Sequence, residues 1–461
     1  MMHINCKNEK KQPELNLMTM GALPLNILID ILTRMPVNSI CCMRCVSKAL
    51  LKTVDDPFLA TMHMRRRFLT TCSTTTTEVP RLVVLDESPY HKQNVLYPLK
   101  YDGNDLLTKS KHAIVSYFGS RQRFYSHAFV FCNLFGFTGL NPKHGRSCLL
   151  VNPFKGEVLM LPFASDVPVP ANSLYNINVD YYGMGFDNIT NSFKIVRVST
   201  NKKDYMVSEV LVLGTSSWRA LPTVPPCFPT SKSAYAHGDI HWLVYGDGEL
   251  FVRILSFDFK KEEFYWTPHP APLGKRPGLW KFLHLINLRG SLALVNVSSP
   301  EDEHMTIFEE RRYIEIWELK NYDVKEWVLN YKIDSEQYLF IFWKPASFSR
   351  CGEWEHGIFF NQESWPNNCI FLVDLRYVSI KCILLKGEIT IHSCIDSMIS
   401  LNNYGDLIEA KEEQGITEFP MPRKTWENLI NSAEESGRDF CYLKTQKESA
   451  SISWDRSSIC I

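Results

Sequence analysis

The sequence predicts a multidomain chain: a small all-α module of three helices at the N-terminus, followed by a large all-β, propeller-like domain of about six blades. Three observations carry this. Apolar residues recur at helical spacing from residue 23 to about 69. Short β-rich runs separated by Gly, Asn, Asp and Pro fill the stretch from about 82 to 401. Those runs repeat as a unit of roughly 50 residues, the period of a four-stranded propeller blade. The reading divides the chain into a disordered start (1–19), the helical module (20–69), a linker (70–80), the β domain (81–404) and a tail with one short helix (405–461).

The bulk numbers fit two domains. A chain of 461 residues exceeds the usual span of one core. With 45% hydrophobic and 22% charged residues it has a globular composition. Lys+Arg and Asp+Glu are both 50, so a net charge of 0 gives no general attraction to nucleic acid or an anionic membrane. Met1–Leu17 is polar and lacks the apolar core of a signal peptide. No run reaches the roughly 18 apolar residues of a membrane span. Fourteen Cys without such a signal point to free thiols in a reducing compartment, cytoplasmic, nuclear or both. The triplets Asn188-Ile189-Thr190 and Asn296-Val297-Ser298 are then chance matches to a glycosylation site.

In the first helix Ile27, Leu28, Ile31, Leu32 and Met35 form one stripe. Pro24 suits its first turn and Pro36 ends it. Asn38 or Ser39 caps a second helix carrying Ile40, Met43, Val46, Leu50 and Val54. Asp56 caps a third, with Pro57 in its first turn and Phe58, Met62 and Phe68 or Leu69 on its apolar side. So small a core gains stability by burying leftover apolar surface, either on its own β domain or on a partner. Periodicity does not choose between them. Cys41-Cys42-x-x-Cys45 lacks a fourth ligand at zinc spacing, and Arg65-Arg66-Arg67 reads as a solvated helix end.

The run from Leu23-Pro24-Leu25 through Ile31-Leu32-Thr33-Arg34-Met35-Pro36-Val37, with Arg44-Cys45-Val46-Ser47-Lys48 after it, closely resembles the F-box motif of plant F-box proteins. Asn26 departs from the family's acidic residue, and Leu50 from its Trp. The resemblance implies binding to a Skp1-type adaptor and, through it, a cullin–RING ubiquitin ligase. The implied contact face is Leu23, Pro24, Ile27, Leu28, Ile31, Leu32, Pro36, Val37, Ile40, Cys41, Val46 and Leu50.

Past the polar run Ser73–Thr77, β-type patterning dominates, as in Phe193–Val198 and Ile314–Leu319 with their period of two. Five repeats are visible, marked by Trp218, Trp266 and Trp327 and by Gly238, Gly290 and Gly357. A sixth would combine the ends, Leu82–Leu85 with Ile391–Leu401, and close the ring. A pair of β-sandwiches is the alternative, but it accounts less simply for the Gly-then-aromatic order. The pieces VNPFKGEVLMLP, SSWRALP, HGDIHWLV and IEIWELKNYDVKEWVLNYKID resemble, in order, the F-box-associated domain of the same proteins. Phe129–Leu140 fits that pattern least.

No catalytic order emerges. Gly183-Met184-Gly185 is followed by strand, so it is no phosphate loop, and His237 and His241 read as hydrogen-bonded core residues. Glu262-Glu263 and Glu309-Glu310 read as solvated carboxylates. The resemblance therefore implies a non-catalytic receptor with no cofactor, whose β domain holds an unidentified target protein. A scaffold outside any ligase and a propeller-fold enzyme are the competing readings.

Overall fold

The computed structural model describes residues 23–69, 78–86, 94–101, 107–109, 116–118, 125–141, 145–164, 180–200, 205–230, 233–245, 252–270, 283–297, 313–334, 348–362, 368–385 and 389–408. The expectations for residues 1–19, for the Ser73–Thr77 run and for a helix in the tail lie outside them.

The N-terminal module has four helices rather than three: α1 (Leu25–Leu32), α2 (Val37–Met43), α3 (Lys48–Val54) and α4 (Pro57–Leu69). The expected second helix is broken between Arg44 and Ser47. Ser47 is extended, and its hydroxyl accepts the Leu50 amide at 3.2 Å, so it restarts the chain as the N-cap of α3. Neither Asn38 nor Ser39 caps α2. Its first amide, on Val37, donates instead to Glu78 Oε1 at 2.8 Å, from just ahead of the β domain. Asp56 does cap α4, accepting the Phe58 amide at 2.9 Å. The buried side of α4 is Leu59, Ala60, His63 and Met64, while Phe58 faces outward.

The β domain is a six-bladed propeller of antiparallel sheets. In chain order the strands of blade 1 are β1 (Arg81–Asp86), β2 (Asn94–Tyr101), β3 (Leu107–Lys109) and β4 (Ser116–Phe118), the last two pairing with opposite ends of β2. Blade 2 holds β5 (Tyr125–Phe131), β6 (Leu134–Asn141), β7 (Gly145–Asn152) and β8 (Glu157–Met160). Blade 3 holds β9 (Tyr181–Asp187), β10 (Ser192–Thr200), β11 (Met206–Val212) and β12 (Arg219–Ala220). Blade 4 holds β13 (Ser233–Ala236), β14 (Asp239–Tyr245), β15 (Val252–Asp258) and β16 (Glu263–Thr267). Blade 5 holds β17 (Leu283–Leu288), β18 (Ser291–Val297), β19 (Tyr313–Asn321) and β20 (Glu326–Asp334). Blade 6 holds β21 (Phe348–Trp354), β22 (Gly357–Gln362), β23 (Asn368–Asp374) and β24 (Ser379–Leu385).

The final strand, β25 (Ile389–Cys394), returns to blade 1 and pairs with β1 from Arg81↔Cys394 to Asp86↔Ile389. This is the closure expected from the two leftover ends. The inner strands β25, β5, β9, β13, β17 and β21 touch in that order and close on themselves.

One apolar cluster fills each seam between neighbouring blades. Val83, Leu85 and Leu96 meet Phe135, Phe137 and Val151 between blades 1 and 2. Val196 and Val210 meet Trp242 and Phe257 between blades 3 and 4. Ile286 and Val295 meet Phe360 and Phe371 between blades 5 and 6.

The Gly landmarks have two causes. His237-Gly238 and Arg289-Gly290 are two-residue hairpins with positive φ at both positions, the turn whose twist suits paired strands. Gly357 lies within β22, where a Cβ would sit 2.1 Å from the Val373 carbonyl oxygen. His241 is fully buried, its Nδ1 paired with Ser256 Oγ at 2.7 Å and its Nε2 near the Ala236 carbonyl at 3.2 Å. Asn296, from the second glycosylation-like triplet, is fully buried in β18.

Candidate functional site

The helical module divides the twelve residues of the implied contact face into two sets. Leu28, Leu32, Val37, Ile40 and Leu50 are buried, and with Val54, Leu59, Ala60 and Met398 they make the core of the module. Leu23, Pro24, Ile27, Ile31, Cys41 and Val46 are exposed, and Pro36 is half-buried. Leu25, Leu51 and Phe58, which sequence reasoning left out, are exposed as well. Ile27 is 45% exposed, Val46 65% and Phe58 55%, a concentration of large apolar side chains in water that a module this small does not need for its own core. Leu50 stands at the position where a Trp was expected on the open face, but it points inward at 4% exposure.

The same helices carry exposed ion pairs. Asp30 on α1 accepts from Arg34 at 2.7 Å and from Arg66 of α4 at 2.8 Å. The Arg34 hydrogen bond holds its carboxyl below the usual range. Arg44 pairs with Asp55 at 3.0 Å across α2 and α3. The predicted solvated run Arg65–Arg67 is thus partly engaged, since Arg67 also donates to the Asp396 carbonyl at 2.9 Å.

The module sits over one mouth of the propeller. Met64 of α4 belongs to the apolar cluster between blades 2 and 3. Residues 395–401, which follow the last strand, run between module and ring and are mostly buried. Asn133 Nδ2 donates to the Ser397 carbonyl, Asn152 Nδ2 to the Ile399 carbonyl, and the Leu401 amide to Glu157. These partners lie at the turns joining β5 to β6 and β7 to β8. Those turns therefore occupy the module's mouth, and the passages from β8 to β9, β16 to β17 and β20 to β21 start and end at the opposite one.

Between the ring and α4 lies a cavity of about 990 Å³ lined by inner strands of five blades. Arg350 Nη1 donates to His127 Nδ1 at 3.0 Å, and the His127 ring lies 4.2 Å from that of His392. Burial, aided by Arg350 beside His127 and by His127 and Arg350 beside His392, pushes both imidazoles well down, so they stand neutral. Glu353 accepts the Arg289 amide at 2.9 Å, and burial pushes its carboxyl up to about 7. Among the described residues no group of three or more His, Cys, Asp and Glu is placed to hold a metal ion. No helix among them is long and apolar enough to cross a membrane.

Glu353 supplies a pH test. Its unfolded carboxyl ionises near 4.5, whereas the folded one holds its proton to about 7, so the contribution of this group to stability falls as pH rises through that window and then levels. Glu353→Gln keeps the acceptor and removes the titration. The variant is expected to gain about 1–3 kcal/mol over the wild type at pH 8 and little at pH 4, measured by urea unfolding at both.

Two family profiles match. The F-box domain covers residues 21–60, and the F-box associated beta propeller domain covers residues 108–398. Similar proteins in Arabidopsis thaliana include the F-box protein At1g46984, 24% identical over 80% of this chain and 87% of that one. The F-box protein At3g07870 is 27% identical over 68% and 72%, and the F-box/kelch-repeat protein At4g19930 is 23% identical over 65% and 66%.

Proposed function

Because this chain belongs to the plant F-box proteins that carry an F-box associated β-propeller domain, we propose that it is the substrate receptor of a Skp1–cullin–F-box ubiquitin ligase. One observation carries the reading: the F-box helices bury Leu28, Leu32, Val37, Ile40 and Leu50 in a compact core and still leave Leu25, Ile27, Ile31, Val46, Leu51 and Phe58 in water. In this reading a Skp1-type adaptor buries that surface and links the chain to a cullin–RING ligase. Leu28, Leu32, Val37, Ile40 and Leu50 act from beneath by holding the helices in place. Leu23, Pro24, Pro36 and Cys41 remain candidate contacts.

The propeller captures the target protein. With one mouth occupied by the F-box, capture falls to the opposite mouth, where the longer passages between blades begin and end. The chain contributes position rather than chemistry: it raises the target's effective concentration beside ubiquitin carried by other subunits. The complex works in the cytoplasm, the nucleus or both.

Co-expression of the full chain with a Skp1-type adaptor and a cullin tests this. Elution of all three as one species is the expected result. Failure to retain the adaptor overturns the reading, and adaptor without cullin turns it toward a scaffold outside the ligase.

A further inference from the structure

The core of the F-box is not built by the F-box alone. Met398, 7% exposed, belongs to the same apolar cluster as Leu28, Leu32, Val37, Ile40, Leu50, Val54, Leu59 and Ala60. It arrives on the segment that leaves β25, which is anchored to both parts of the molecule. Toward the helices, the Asp396 carbonyl accepts from Arg67 at 2.9 Å. Arg81, at the start of β1, pairs with the Asp396 carboxylate at 2.8 Å and donates to Asn38 Oδ1 at 2.7 Å. Toward blade 2, the Ile395 amide donates to the Cys132 carbonyl, Ser397 exchanges hydrogen bonds with Asn133, and Lys155 reaches the Met398 carbonyl. Met398 is therefore held at a fixed place by the closed ring, and it joins the apolar cluster that α1–α4 build.

We infer that Met398 is a positioning residue for the adaptor-binding face, and that closure of the propeller strengthens adaptor binding by holding the F-box helices in place. This rests on the adaptor reading above, but the structural half stands apart from it. The physical cause is scale. A module of this size has little core to spare, so removing one interior side chain shifts its local folding equilibrium while the much larger ring is unaffected. Apparent affinity then falls with the fraction of molecules whose helices are in place.

The test uses the full chain with Met398→Ser, Met398→Leu, Arg67→Ala and, as a control for general destabilisation of the ring, Leu372→Ala in the apolar seam between blades 6 and 1. Two readouts are taken: hydrogen exchange of α1–α3 amides, and affinity for a purified Skp1-type adaptor. M398S is expected to speed exchange in α1–α3 while leaving β21–β23 protected, and to weaken adaptor binding about tenfold or more. M398L restores both. R67A, which frees the strap without emptying a core, moves exchange in the same direction by less. L372A lowers the global unfolding midpoint with affinity unchanged. Wild-type exchange in M398S overturns the inference. So does an equal loss of affinity in M398S and L372A. If even the wild-type chain ignores the adaptor, the receptor reading fails, and exchange alone still decides the role of Met398.

Discussion

The full chain carrying Ile27→Asp and Ile31→Asp is expected to lose binding to a Skp1-type adaptor by at least about 100-fold, with its unfolding midpoint nearly unchanged. Both side chains lie on one face of α1 and are exposed, at 45% and 37%, so a carboxylate there stays within reach of water in the free protein. In a complex the same carboxylates would be desolvated against an apolar partner with no cation to pair them. Leu32 lies beside Ile31 in sequence but is fully buried. Leu32→Asp is therefore expected to unfold the helices, and its loss of binding would say nothing about the interface. Isothermal titration of adaptor into each purified variant, with far-ultraviolet circular dichroism as the fold control, separates the two. Binding retained by the double variant would remove α1 from the contact face.

Arg197→Ala is expected to cost about 3–5 kcal/mol and to lower the thermal midpoint by several degrees. Arg197, on the second strand of blade 3, donates to Asp180 at 3.1 Å and to Glu209 on the next strand, and all three side chains are at most 7% exposed. Removing the guanidinium leaves two carboxylates facing each other in the interior without a counter-charge. Arg219→Ala is the contrast. Its partner, Glu262, lies 2.6 Å away, but the arginine is 56% exposed, and water replaces most of what is lost, about 1 kcal/mol or less. Differential scanning calorimetry of the two variants beside the wild type checks the ranking. Equal shifts would mean that burial is not what makes the Arg197 cluster costly to break.

Much of this architecture was legible in the residues. The recurrence of Gly238, Gly290 and the tryptophans marked real blades, and Leu82–Leu85 with Ile391 marked the seam that β25 and β1 form. Local patterns of that kind are readable because each blade must alternate its own strands and turn its own hairpins. The break between α2 and α3 was missed although Ser47 carried its signal, a hydroxyl three residues before an amide it caps. Apolar spacing happened to run through the break and hid it. The poor fit of Phe129–Leu140 also has a cause. The Phe129 ring fills the space over Gly136, where a Cβ would approach within 2.2 Å, so blade 2 exchanges a large residue and a small one across its first hairpin.

The candidate site was legible only in part. A helical stripe names the residues that avoid water, but does not say which of them a module keeps for itself. Leu50 and Ile40 carry the same apolar signal as Ile27 and Val46, and only packing assigns the first pair inward and the second outward. Met398 has no local signal at all, because its partners lie more than 300 residues away in sequence. Glu78 as the cap of α2 is hidden for a similar reason.

The pairing of the last strand with the first has a consequence for how the molecule is made. Its two halves leave the ribosome roughly 300 residues apart, so β1 waits with an unsatisfied edge until the five intervening blades have been made. During that interval Val83, Val84 and Leu85 have no inner neighbour, and an open apolar strand is the kind of segment that recruits chaperones or aggregates. Abundance of this protein should accordingly follow holdase capacity during synthesis more closely than the equilibrium stability of the finished ring.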